Sequence, residues 1–235
     1  MIEILPSWIN YLFIITCLIT VFLFYKANGK RTKIFIGIVI YACLQSLIAY
    51  FGFYQVIDSV PPRVIFVMLP FLAMLAYGLL PTQISIVISV RNLVRSTYLH
   101  SIRILVEIIL YHLFLQKMIP ELMTFAGRNF DILAGLTAPI IAVLYHKKKI
   151  GNQILLIWNF IALSLVLFIL INAILSVQTP IQQFAFNQPN RAILYFPFIL
   201  LPSIIVPIVI YSHLTDILIL FKKLKNENNF PRTNG

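Results

Sequence analysis

The chain has 235 residues, of which 60% are hydrophobic and only 11% charged. Soluble domains are nearer one quarter charged, so this composition excludes an ordinary soluble domain and points to a polytopic membrane protein. The formal charge of +11 is therefore read first as a signal of sidedness, and no nucleic-acid partner is expected.

Apolar runs predict seven spans, at roughly 6–25, 34–56, 63–80, 100–119, 130–146, 154–176 and 192–212, each near the ~20 residues a bilayer requires. Backbone hydrogen bonds must close within each segment in lipid, so the expected fold is all-α. The opening MIEILPSWIN lacks a basic n-region and reads as a retained span, not a removed signal peptide. Cys17 and Cys43 fall in the first two spans and read as small apolar core residues. Two thiols alone make neither a disulfide framework nor a zinc motif.

Residues 81–99, PTQISIVISVRNLVRSTYL, are too polar for a span. Their apolar residues group on one arc, which predicts a helix at about 82–98 lying in the membrane interface.

The fourth span carries His100, Arg103, Glu107, Tyr111 and His112 in an otherwise aliphatic run. The first four residues other than His112 fall within an arc of about 80° at 100° per residue. Arg103 lies one turn from a span end and can snorkel, whereas Glu107 lies roughly 10 Å inside at 1.5 Å per residue. An intramembrane carboxylate needs a partner or a cavity. Arg103, four residues earlier on the same face, is the expected partner, with the pair facing the bundle. His100 and Tyr111 complete a candidate ligand or proton site.

The segment 117–131, KMIPELMTFAGRNFD, gathers Glu121, Arg128, Asn129 and Asp131 ahead of the fifth span. Arg128, Asn129 and Asp131 are candidate site residues, although Asn129 or Asp131 would also serve as a helix cap. Small residues Ala134, Gly135, Thr137 and Ala138 permit close packing of that span. Asn159, Asn172 and Gln45 are expected interhelical hydrogen-bond partners. The segment 176–191 reads as a polar loop, with a small lid as the alternative. Pro197, Pro202 and Pro207 in the seventh span each remove an amide donor, which predicts a bent or broken helix and a cavity wall.

Of the 18 basic residues, 14 follow odd-numbered spans or lie near the start of the fourth, and only Arg63, Lys117, Arg128 and Arg191 fall on the other side. The positive-inside rule then places the N-terminus outside and the C-terminus in the cytoplasm. One transmembrane domain, 1–225, is expected, followed by a cytoplasmic tail, 226–235.

The stretches LHSIRILVE and MTFAGRNFDILAGLTAP, and again YFPFILLPSIIVPIVIYSHL, resemble a group of bacterial inner-membrane proteins that carry no assigned activity. The resemblance rests on His100, Arg103, Val106 and Glu107, then Phe125, Gly127, Arg128, Asn129, Asp131, Gly135, Thr137 and Pro139. It implies a class and a bacterial cytoplasmic membrane, and no function. The last span has no lysine for a retinal Schiff base, and no Asn-Pro-x-x-Tyr of the receptor type.

Three function classes follow. The leading one is a transporter or ligand-binding membrane protein for a small molecule or proton, using Arg103, Glu107, Tyr111 and His100. The second is a membrane-embedded metal-dependent hydrolase or lipid-modifying enzyme, in which His100, His146, His213 and Asp216 hold zinc and activate water. The third is a scaffold or assembly factor whose polar groups only specify packing. No P-loop, nucleophile elbow or calcium loop appears, so the lipid bilayer and a small-molecule ligand are the expected partners, and no cofactor or resident metal is expected.

Overall fold

The protein is seen here as a computed structural model that describes residues 5–229, which are helical with no strand among them. In chain order the helices are α1 (Ser7–Ala27), α2 (Thr32–Tyr50), α3 (Ile65–Gly78), α4 (Pro81–Val90), α5 (Leu93–Leu99), α6 (Ile102–Leu115), α7 (Asp131–His146), α8 (Asn152–Leu175) and α9 (Val206–Asn229). Five segments are long and apolar enough to cross a membrane: Ser7–Ala27, Thr32–Tyr50, Leu93–Leu115, Asn152–Leu175 and Leu201–Glu227. The other two expected spans are short. Helices α3 and α7 have 14 and 16 residues, about 21–24 Å against a hydrocarbon core of ~30 Å.

Burial sorts these helices into a centre and a rim. The last candidate span is 72% buried and the second only 17%. The last candidate span and the segment just before it, with α1, α6 and α8, supply much of the hydrophobic core, including Phe13, Ile109, Leu113, Val166, Phe198, Ile199 and Ile205. Helix α2 stands at the edge and buries only Ile38, Gln45 and Ala49. Cys17 is buried as expected, but Cys43 is on the exposed face of α2 and is not a core residue.

Four expected boundaries change. The second span stops at Tyr50, where Gly52 takes a left-handed φ of 76° that favours glycine, and a short 3₁₀ turn, Phe53–Gln55, follows. The single interfacial helix at 82–98 is not formed. The chain is extended at Arg91, Asn92 caps a new helix by accepting from the Arg95 amide at 2.9 Å, and the Asn92 amide donates to Ala27 O at 2.9 Å. The half after this break joins the fourth span, because α5 runs into α6 through one tight turn at His100 and Ser101, held by i→i+3 bonds. The helix also passes the expected tail boundary at 225 and continues to Asn229, with Asn152 Nδ2 donating to Glu227 at 2.7 Å. The rest of the expected tail, 230–235, lies outside the described residues, as do residues 1–4.

In place of the expected bend or break, the last span opens with a π turn and runs on as one helical segment, Leu201–Glu227. Pro207 has no amide to donate to the carbonyl four residues back, and Leu201–Ile205 immediately before it is a π-helical turn. At the end of the bundle away from the lysine runs, the connection 176–191 is stitched to 114–119. Gln188 Nε2 donates to Phe114 O and Ile119 O, and the Arg191 and Ala192 amides donate to Met118 O.

Candidate functional site

Two clusters of polar side chains occupy the interior, and α9 contributes to both. The first centres on Arg103, which is 2% exposed. Its Nη1 donates to Asp131 Oδ1 at 3.0 Å and to Ala162 O at 3.2 Å, and its Nη2 donates to His213 Nε2 at 2.7 Å. The ring of His213 can accept there because its Nδ1 faces Asn159 Oδ1 at 2.8 Å, and Asn159 Nδ2 donates to Leu155 O. That bond pattern assigns His213 as neutral, with its proton on Nδ1. His100 stacks on His213 with ring centroids 3.8 Å apart, and neither of its ring nitrogens has a partner.

Sequence dictates this arrangement locally through Gly135. A Cβ there would lie 3.0 Å from the Ile104 amide nitrogen and 3.1 Å from Arg103 Cβ, so glycine lets α7 press against α6 and brings Asp131 within reach of Arg103. Asp131 opens α7 and is itself positioned by Asn129, whose Oδ1 accepts from the Asp131 amide at 3.1 Å. Asn129 Nδ2 turns the other way, donating to Met123 O at 3.0 Å and to Glu107 Oε1.

The expected Arg103–Glu107 ion pair is therefore not formed. Arg103 pairs with Asp131 across helices, and Glu107 takes its one hydrogen bond from Asn129. The second carboxyl oxygen of Glu107 is buried without a partner. Glu107 also lines a cavity of about 110 Å³, together with Asn129, Asp131 and mostly aliphatic residues, among them Val106, Leu110, Val166, Ile169, Pro202 and Val206. Tyr111 stands apart from this network and stacks on Phe125 at 4.9 Å. Arg128 is exposed, whereas Asn129 and Asp131 are buried. Sequence reading thus placed Asn129 and Asp131 among the loop candidates, and the structure brings them together with Arg103 and Glu107.

Counting charges separates the two clusters. Around Arg103 there is one cation and two carboxyl groups, Asp131 and Glu107, with His213 neutral. The second cluster is balanced. Arg91 donates through Nε to Asp216 Oδ1 at 2.5 Å, through Nη1 to Asn28 Oδ1 at 2.7 Å, and through Nη2 to Ser96 Oγ at 2.5 Å and Ser212 O at 3.1 Å. Ser96 Oγ in turn donates to Asp216 Oδ2 at 2.5 Å. Arg91 and Asp216 are 8% and 1% exposed, so this is a desolvated, fully bonded ion pair. Two of the 14 basic residues counted as sidedness charges, Arg91 and Arg103, are thus interior groups, leaving twelve against four.

The alternative metal set is not assembled. His146 is exposed at the end of α7, Asp216 is held by Arg91 and Ser96, and only His100 and His213 meet. Among the described residues no group of three or more His, Cys, Asp or Glu is placed to hold a metal ion.

Long apolar helices enclosing ion-paired side chains define the class: an all-helical membrane protein. The chain belongs to the family described as a domain of unknown function, DUF8737, which matches residues 60–221. That match takes in α3 to α8 and most of α9, and with them Arg91, Arg103, Glu107, Asp131, His213 and Asp216. No curated protein and no solved structure matches the chain.

Proposed function

We propose that the protein is a membrane transporter or ligand-binding protein for a proton or a small cationic, hydrogen-bond-donating molecule, with Glu107 as the binding group. The single observation that carries this reading is that Glu107, a lining residue of the 110 Å³ cavity, keeps one buried carboxyl oxygen unpartnered. A buried carboxylate with no compensating cation is costly in a bilayer. Arg103 already serves Asp131, so a proton or a cationic ligand is what balances the site. The remaining members act through position. Asn129 orients Glu107, the Arg103–Asp131 pair fixes α6 against α7, and His213 with Asn159 fixes Arg103 against α8 and α9. His100, stacked and unbonded, extends the polar line towards Asp216.

In this reading the chain crosses a bacterial cytoplasmic membrane seven times, with α3 and α7 as short crossings. The N-terminus faces outside and the C-terminus the cytoplasm, resting on the twelve-to-four division along the sequence of the basic residues other than Arg91 and Arg103. Two outcomes of a flux assay decide the matter. Proteoliposomes holding a pH-sensitive dye and a potassium diffusion potential would be offered a panel of small primary amines. Wild-type protein should pass protons or respond to an amine above empty liposomes, and Glu107→Gln should abolish that signal while remaining folded. A folded Glu107→Gln variant with undiminished flux would overturn the proposal, as would wild-type vesicles indistinguishable from empty ones.

A further inference from the structure

A second, larger cavity of about 330 Å³ lies between α2, α3, α4 and the start of α9, within the ~300–1,000 Å³ range of small-molecule sites. It shares nothing with Glu107 except a wall. The π-helical turn and Pro207 present Ser203, Ile204 and Pro207 to this cavity, and Leu201, Pro202 and Val206 to the other.

The shape and chemistry of the cavity are those of an amphiphile site. Its length along α2, from Arg31 to Tyr41, is ten residues, about 15 Å. The body is aliphatic, with Ile38, Leu75 and Ile208 among its walls. Asn28 and Arg31 are polar lining residues at the lysine-rich end, and Tyr41 and Ser203 add hydroxyl groups elsewhere on the wall. Arg31 is the one charged residue among the lining residues. Two ion pairs exist among the described residues, Arg91–Asp216 and Arg103–Asp131, and neither involves Arg31. Gly37 contributes to the hollow from the α2 side, since a Cβ there would meet no heavy atom within 4 Å.

We infer that this cavity holds an anionic phospholipid, with its phosphate on Arg31 and one acyl chain lying along α2 between Ile38 and Ile208. Charge complementarity argues for an anionic head. Lys26, Lys30 and Lys33 flank Arg31 in sequence, and a polybasic membrane-proximal segment selects anionic lipid. Length argues for a chain, because the slot runs inward from the basic end along the axis of a candidate span. Arg31 suits a phosphate better than a lysine would, since its planar fork binds two oxygens at once.

Native mass spectrometry of the full chain in detergent tests this, with phosphatidylglycerol, phosphatidylcholine of the same acyl chains, or oleate added in turn. Wild-type protein should retain phosphatidylglycerol in preference to phosphatidylcholine. Arg31→Gln should lower that occupancy about fivefold, the effect of ~1 kcal/mol for one basic residue at an anionic lipid surface. Lys149→Gln, an exposed lysine outside the cavity and away from this basic stretch, should leave it unchanged. Gly37→Phe should abolish retention by filling the slot. The inference is overturned by equal retention of the two phospholipids, by an Arg31→Gln variant that binds like wild type, or by binding of oleate alone. Should Gly37→Phe fail to fold, Arg31→Gln and Lys149→Gln still decide the question. None of these readouts passes through Glu107.

Discussion

Replacing Arg103 with methionine removes the only cation from a buried cluster and leaves the carboxyl groups of Asp131, 7% exposed, and Glu107, 2% exposed, with no compensating cation. Three acceptors lose their donor together: Asp131 Oδ1, Ala162 O and His213 Nε2. Breaking one partner out of a buried ion pair typically costs about 3–5 kcal/mol. At roughly 2–4 °C per kcal/mol for chains of this length, the unfolding midpoint in detergent should fall by about 6–20 °C. Tryptophan fluorescence reports the change directly, because the Trp158 ring lies 5.7 Å from both His100 and His213. A double-mutant cycle then asks which carboxylate is the true partner. Arg103→Met with Asp131→Asn should recover much of the loss, with a coupling of about 1–3 kcal/mol. Arg103→Met with Glu107→Gln should recover less. An equal or larger coupling to Glu107 would refute the cross-helix pairing and restore a direct pair within the fourth span.

The loop ahead of α7 offers a second test. A Cβ at Gly127 would lie 2.3 Å from Glu121 O, a backbone atom that cannot move aside cheaply. Gly127→Ala should therefore displace Asn129, costing about 1–3 kcal/mol of stability and reducing any Glu107-dependent flux, both measurable on one preparation. Topology is checked in cells with single cysteines in a background lacking Cys17 and Cys43. Asn187→Cys, on the exposed connection before the last span, should react with an impermeant thiol reagent, and Lys149→Cys should not; the reverse pattern would invert the proposed orientation.

Helical class and the position of the polar machinery were legible in the sequence because both follow from composition. Any chain this apolar must close its hydrogen bonds helix by helix, and any carboxylate at position 107 must find a partner. Identity of that partner was not legible. Intrahelical spacing suggested Arg103, but the i, i+4 rule ignores what a neighbouring helix brings closer. Gly135 is the signal that bears on this, since a glycine opposite Arg103 Cβ lets a second helix approach and present Asp131 to Arg103, while Glu107 takes its hydrogen bond from Asn129. Arg91 was missed for a related reason. Among so many basic residues it read as one more sidedness charge, and its partner Asp216 is 125 positions away. Asn92 directly after it was the available clue, because Asn is a strong N-cap. Read as a cap, it ends the supposed 82–98 helix at Arg91 and turns that side chain inward.

Helix α9 explains why these separate features belong to one device. His213 and Asp216 stand one turn apart on it, so it holds Arg103 with one residue and Arg91 with the next. Above them, the π-helical turn forms the wall between the two cavities. A π turn is a local excess of one residue, and such turns recur at functional sites. Any movement of Leu201–Ile205 would enlarge one cavity at the expense of the other. The ion pair at Asp216 and the contact at His213 would meanwhile hold the lower half of the helix in place. In the proposed function, the balanced Arg91 cluster would serve as an anchor, and the unbalanced Arg103 cluster as the part that takes up the proton or ligand. In that arrangement, a ligand on Glu107 and a lipid on Arg31 would press on opposite faces of the same five residues.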